Sequence, residues 1–212
     1  MKNIMIIRSL PYTYRINGLD LYDSFDAVAR REVDPHISPP TTESLARLKS
    51  VTEKSDLVYI SDTCRSRETA SFLSKSFTIT PLLNEIQYSM HDFIEKDVFV
   101  TMSENVTYAR KSFFRAYINN KLREEHKAII SRIDQIFEMI DREDAENVLL
   151  ISHGFFIKLV EAYVRLPGFR FDPRQLLSLY DGSVPTYPFS GGIQIHKNDN
   201  VINFISQVSE EL

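Results

Sequence analysis

The chain holds a single cysteine, Cys64, in 212 residues. That excludes an intrachain disulfide and any Cys-x-x-Cys metal site, and it suits a reducing compartment. Glycine is also scarce, with six residues, and none sits in a G-x-x-x-x-G-K-[ST] phosphate loop, a G-x-G-x-x-G turn or a G-x-S-x-G elbow. Long apolar runs are missing too. The N-terminal stretch Ile4 to Ile7 is far too short for a signal-peptide core, and nothing approaches the roughly 18 apolar residues of a membrane span. The expectation is a cytoplasmic protein with no membrane partner. No excess of positive charge is present: the formal net charge is −4, which gives no electrostatic case for nucleic acid.

What is present is an ordinary globular balance, 43% hydrophobic and 25% charged. Three short, branched, apolar runs read as buried strands: Asn3 to Ile7, Leu57 to Ile60 and Val148 to Ile151. A short strand is expected within 78–83. Gly191 to Ile195 and Val201 to Ile205 read as late strands joined by the polar turn KNDN. Helical patterns lie between them. Leu21 to Arg31 is one. Another, capped by Thr41 or Thr42, carries Leu45, Leu48 and Val51 on one face. A third carries Ala70, Phe72 and Leu73. The stretch 104–142 reads as mostly helical, with Ile129, Ile133, Ile136, Phe137 and Ile140 on one face, and IKLVEAYV follows the third strand. Strands alternating with helices predict an α/β fold, a three-layer α/β/α sandwich with a mostly parallel sheet, in one domain spanning 1–212. The weakest pattern, at about 86–125, reads as a helical insertion or lid over the sheet's functional edge.

Ligands of open α/β sheets sit beyond the carboxyl ends of the strands. The three strong strands run into Arg8-Ser9, into Ser61-Asp62-Thr63-Cys64-Arg65 and into Ser152-His153-Gly154, behind which a helix starts. Taken singly, an arginine at a strand end pairs with a carboxylate as readily as with a ligand, and a lone histidine is by default structural. Together, two guanidinium forks, a histidine, several hydroxyls and a helix N-terminus suit an anion such as phosphate. Gly154 permits close backbone approach. His36, His126 and His196 lack partners at ligand spacing, so no metal site is expected.

At these residues the sequence resembles the histidine phosphatase, or phosphoglycerate-mutase-like, superfamily. LVYISDTCRSRETASFLS is similar to the family's strand followed by S-x-x-x-R-A-x-x-T-A, which puts Arg65 at the phosphate-binding arginine. LLNEIQYS resembles the L-x-E segment whose glutamate donates a proton, here Glu85. VLLISHGFFIKLV is close to the second histidine motif, with His153 in place, and PPTTESLARL resembles the stretch before the first long helix. The first motif departs. Where the family has R-H-G, with the histidine as nucleophile, this chain reads Arg8-Ser9-Leu10, and Pro11-Tyr12 replaces the usual Glu-Thr.

The resemblance implies a pocket formed by Arg8, Ser9, Arg65, Glu85 and His153. Arg8, Arg65 and His153 would hold the phosphate, Glu85 and His153 would serve proton transfer, and Ser9 would stand in the nucleophile's place. It implies no metal or organic cofactor, and a phosphorylated or otherwise anionic small molecule as partner. The two arginines are expected to lower the pKa of His153.

Three readings stay open. One is a phosphatase-like enzyme in which His153 acts as base for water or Ser9, or in which His91 substitutes for the missing histidine; His91 also reads simply as a surface residue beside Asp92. Another is a binding protein or repurposed site with phosphatase activity atypical or lost. The third is an interaction protein that uses the aromatic segment Phe113 to Tyr117. Tyr88, Tyr108 and Arg110 are candidate pocket linings. Phe171 to Tyr187 belongs to the site or to a dimer contact, which leaves a homodimer open.

Overall fold

The computed structural model describes residues 1–13, 15–198 and 201–208. Six strands form one sheet: β1 (Lys2–Arg8), β2 (Leu57–Ile60), β3 (Thr78–Ile79), β4 (Asn147–Ser152), β5 (Gly192–Asn198) and β6 (Val201–Val208), in the spatial order β3-β2-β4-β1-β5-β6. The pairings β1–β4, β2–β4 and β2–β3 are parallel. β5 runs antiparallel to β1, and β6 antiparallel to β5. The sheet is therefore mixed, a parallel half extended by a C-terminal antiparallel hairpin. Of the KNDN turn, Lys197 and Asn198 complete β5, and Asp199 and Asn200 lie outside the described residues.

Side-chain alternation divides the core between the two faces of the sheet. Ile4, Ile6, Tyr59, Val148, Leu150, Ile193 and Ile195 pack against three helices, α5 (Asn105–Ile118), α6 (His126–Asp141) and α7 (Gly154–Arg165). Ile7, Val58, Ile60, Leu149 and Ile151 pack with Leu48 and Val51 of α2 (Thr42–Glu53) and Ala70 of α3 (Cys64–Ser71). A smaller cluster joins Tyr22 on α1 (Leu21–Ala29) to Met90, Ile94 and Phe99, the last on α4 (Lys96–Thr101). No helix among the described residues is long and apolar enough to cross a membrane.

Several expectations change in detail. The strand expected in 78–83 shrinks to Thr78–Ile79, because Pro81 opens a single 3₁₀ turn, Pro81–Leu83. The mostly helical stretch 104–142 divides into two helices, α5 and α6. Asn119 ends α5 and Asn120 adopts a left-handed φ of 53°, a conformation asparagine tolerates better than most residues. The aromatic segment is not a surface: Phe113, Phe114, Ala116 and Tyr117 are buried in the core under α7. Leu10, which the resemblance sets against a glycine, is fully buried with Ile7, Leu48 and Val58.

Candidate active site

Strand register brings the three expected strand ends level. Arg8 lies opposite Ser152 on β4, and Ile60 lies opposite Ile151, so Ser61 emerges beside Ser152. The ladder continues past the strands, as Ser9 N donates to Ser152 O at 3.1 Å and Ser61 N to Ile151 O at 3.1 Å. Arg8, Ser9, Arg65, Glu85 and His153 all line one cavity of about 1,110 Å³.

His153 is buried at the cap of α7, and its hydrogen bonds define its state. Arg65 donates to Nδ1 from Nε at 3.3 Å and from Nη2 at 3.1 Å. A guanidinium only donates, so Nδ1 carries the lone pair and Nε2 carries the proton. Nε2–H meets Ser61 Oγ at 2.8 Å, and Ser61 passes its own proton to Ser66 Oγ at 2.6 Å. Burial first, then Arg65, Arg31, Arg8 and Arg132, hold the imidazole well below its ordinary pKa. The lowering has the expected direction, but burial is a larger cause than the arginines. His153 is thus a neutral imidazole with both nitrogens engaged.

Arg65 completes its fork by donating from Nη1 to Asp34 Oδ1 at 3.3 Å, under the ring of Tyr12, 4.8 Å from its guanidinium carbon. Arg8 is held by the far end of the chain. Its Nη1 donates to Tyr187 O at 2.7 Å, its guanidinium lies 3.9 Å from the centre of the Phe189 ring, and its carbonyl accepts from Ser190 N at 3.0 Å. The Tyr187 hydroxyl donates in turn to the buried Glu161, which also receives Lys158 and Arg165. Gly154 packs closely, since a Cβ there would fall 2.5 Å from Thr186 Oγ1, which would have to turn aside, and 3.4 Å from Arg8 Nε.

Glu85 occupies a place the sequence assigns to the ligand. Its Oε2 accepts from Phe155 N at 3.1 Å and its Oε1 from Phe156 N at 2.9 Å. The carboxylate therefore caps the first turn of α7 and takes two amides that the sequence reading offers to an anion. The guanidinium N–H groups of Arg8 and Arg65 not already donated to Tyr187, His153 and Asp34, with the remaining cavity wall, are left for the ligand.

The structure adds residues that sequence spacing does not reveal. Arg31 lines the cavity from the end of α1 with φ 59°, and its Nη2 donates to Glu85 O at 3.0 Å. It follows the helix cap, where Glu32 N returns to Ala27 O, a position that ordinarily takes glycine. Tyr12, Phe25, Phe93, Phe113, Phe155 and Tyr180 make much of the wall aromatic. Among the candidates, Tyr88 and Arg110 line the cavity, and Tyr108 packs instead against the Tyr22–Phe99 cluster. His91 is outside the cavity lining, with Nδ1 at 3.2 Å from the Tyr22 hydroxyl and Nε2 at 3.5 Å from Asp26. The C-terminal part of 171–187 contributes Tyr180, Pro185, Thr186 and Tyr187 to the cavity. His126 is structural, bonded to the Tyr117 hydroxyl at 2.8 Å and Phe169 O at 2.7 Å. His36, by contrast, gains partners that its sequence neighbourhood lacks: Glu68 and Cys64.

The sequence profile of the histidine phosphatase superfamily, branch 1, matches residues 28–180. The chain belongs to that superfamily. The matched span begins beyond Arg8 and Ser9, so both residues lie outside it. No curated protein matches the chain in sequence. Solved structures of the superfamily share its fold over nearly the full length of both chains. A mycobacterial glucosyl-3-phosphoglycerate phosphatase in complex with VO3 has a TM-score of 0.66 at 12% identity, covering 99% of this chain and 100% of its own. An Entamoeba histolytica phosphoserine phosphatase in complex with 3-phosphoglyceric acid has a TM-score of 0.62 at 12% identity, covering 99% and 98%. A Bacillus anthracis phosphoglycerate mutase has a TM-score of 0.61 at 13% identity, covering 99% and 93%.

Proposed function

We propose that the cavity binds a phosphomonoester or a similar small anion through Arg8 and Arg65, and that the histidine-dependent phosphoryl transfer of the superfamily is lost in this chain. One observation carries the reading. Ser9 lines the cavity where the resemblance places the nucleophilic histidine, and the two groups expected to serve proton transfer there, His153 and Glu85, are engaged elsewhere. An unactivated serine is a poor nucleophile at neutral pH. The lone pair of His153 faces Arg65, and its proton is held by Ser61. Both carboxylate oxygens of Glu85 are engaged by α7 amides. The anion-binding half of the machinery is supported by the convergence of two guanidinium groups on one cavity.

The test pairs binding with turnover. Calorimetry should detect phosphate and vanadate binding to the wild-type protein, and Arg65→Ala should remove it. Phosphate release from an aryl phosphate should stay at background in the wild type and rise in Ser9→His, since loss of a nucleophile in a well-studied hydrolase spans about 10⁶-fold in rate. Brisk wild-type turnover that disappears in Ser9→Ala would make Ser9 a working nucleophile and refute the loss of activity. Failure to bind either oxyanion would refute the phosphate pocket itself.

A further inference from the structure

Behind Arg65, outside the cavity, the fold assembles a second group of chemically distinctive side chains. Cys64 and Glu68 are four residues apart on α3 and so share one helix face. The segment leading to α2 brings His36 onto that face. His36 Nδ1 lies 2.5 Å from Glu68 Oε1 and 3.4 Å from Cys64 Sγ, and one donor atom from each residue lies within 4.8 Å of the others. None of the three lines the cavity.

The arrangement is braced. Glu68 Oε2 accepts from Ile37 N at 2.8 Å, which leaves Oε1 turned toward His36. Cys64 N donates to Asp34, so the segment 34–37 is tied to α3 at two points one turn apart. An exposed histidine–carboxylate pair contributes little stability by itself and does not call for a thiol beside it.

We propose that His36, Cys64 and Glu68 form a binding site for a zinc-class divalent metal ion. Imidazole, thiolate and one carboxylate are a donor set for zinc, whereas magnesium and calcium take shells of oxygen ligands. Tetrahedral zinc, with bonds of about 2.0–2.3 Å, sets its ligand atoms roughly 3.3–3.6 Å apart. The sulfur–nitrogen separation already matches. The nitrogen–oxygen separation must open by under about 1 Å, which the His36 side chain, 80% exposed, achieves by rotating. Three protein ligands leave a fourth position for water or an outside ligand.

Cobalt(II) is the probe, titrated into the reduced, chelator-stripped full-length protein. The expected result is a thiolate-to-cobalt charge-transfer band that saturates at one equivalent and is displaced by zinc. Cys64→Ser should abolish the band, and His36→Ala and Glu68→Gln should each weaken cobalt affinity by about tenfold or more. Zinc should raise the melting temperature of the wild type and leave that of Cys64→Ser unmoved. Absence of the charge-transfer band would overturn the site. So would equal cobalt affinity in wild type and His36→Ala, or equal zinc stabilisation of wild type and Cys64→Ser, because the metal would then be held elsewhere. All three positions are at least partly exposed, and circular dichroism of the metal-free variants checks that they fold.

Discussion

The state of a single imidazole ties this site to measurable stability. His153 is neutral when folded and has its pKa depressed by burial and by Arg65. The unfolded chain protonates it near pH 6.5, so below that pH the unfolded state binds more protons. Stability is then complete above about pH 6.5 and falls as the pH drops toward the depressed folded value, by up to about 1.4 kcal/mol per pH unit for this group. His126, also lowered by burial, adds to the slope in the same direction. Urea denaturation between pH 5 and pH 7.5 should show the fall, and His153→Gln should flatten part of it. An unchanged slope in that variant would show that His153 does not titrate between the states. Arg8 and His153 are legible in the sequence because each closely follows an unmistakable buried strand, and Arg65 because it opens the helix five residues after another. Arg31 was not legible. It sits at a left-handed position after α1, where a sequence reading looks for glycine, and only the packing of α1 over the cavity gives it meaning.

Among the elements, α7 starts directly at the site, behind His153, and its start is organised from outside. No side chain at its own cap satisfies the first amides; Glu85, from a separate loop, does so. Glu85→Gln replaces one acceptor by a donor against an N–H and removes the favourable charge at the helix start. It should cost about 1–2 kcal/mol in chemical denaturation. Stability within error of the wild type would mean the cap is not holding the helix. This interaction escaped the sequence reading, which found Glu85 by resemblance but treated the helix N-terminus as free for the ligand. Local patterns say where a helix begins and are silent on which distant carboxylate reaches it. The break between α5 and α6 falls at Asn119-Asn120, a pair the apolar periodicity on either side does not mark.

At the scale of the molecule, the α/β layering follows from the alternation of strand and helix patterns, and the short KNDN turn makes β5 and β6 antiparallel to each other, but the direction of β5 against β1 is not legible. Hydrophobic runs do not encode strand direction, which here depends on the long excursion between α7 and β5. That antiparallel join is tight. A Cβ on Gly192 would lie 1.8 Å from Ile6 O, so no side chain is accommodated between β1 and β5. Gly192→Ala should therefore destabilise the whole sheet by at least about 3 kcal/mol, the scale of severe core substitutions, and lower the melting temperature accordingly. A variant as stable as wild type would show that the two strands are free to separate there.

The sheet order has one more consequence, for the birth of the protein. β1 is the first strand to be synthesised and the one that sits between β4 and β5, its partners from residue 147 onward and from residue 192 onward. At roughly 5–20 residues per second, the apolar NIMII segment waits on the order of ten seconds or more for its first neighbour to be translated. The clamp on Arg8, made by Tyr187, Phe189 and Ser190, arrives later still. A ribosome stalled before these residues would therefore present a sticky, unpaired β1 segment to the quality-control machinery, with the anion site still unformed.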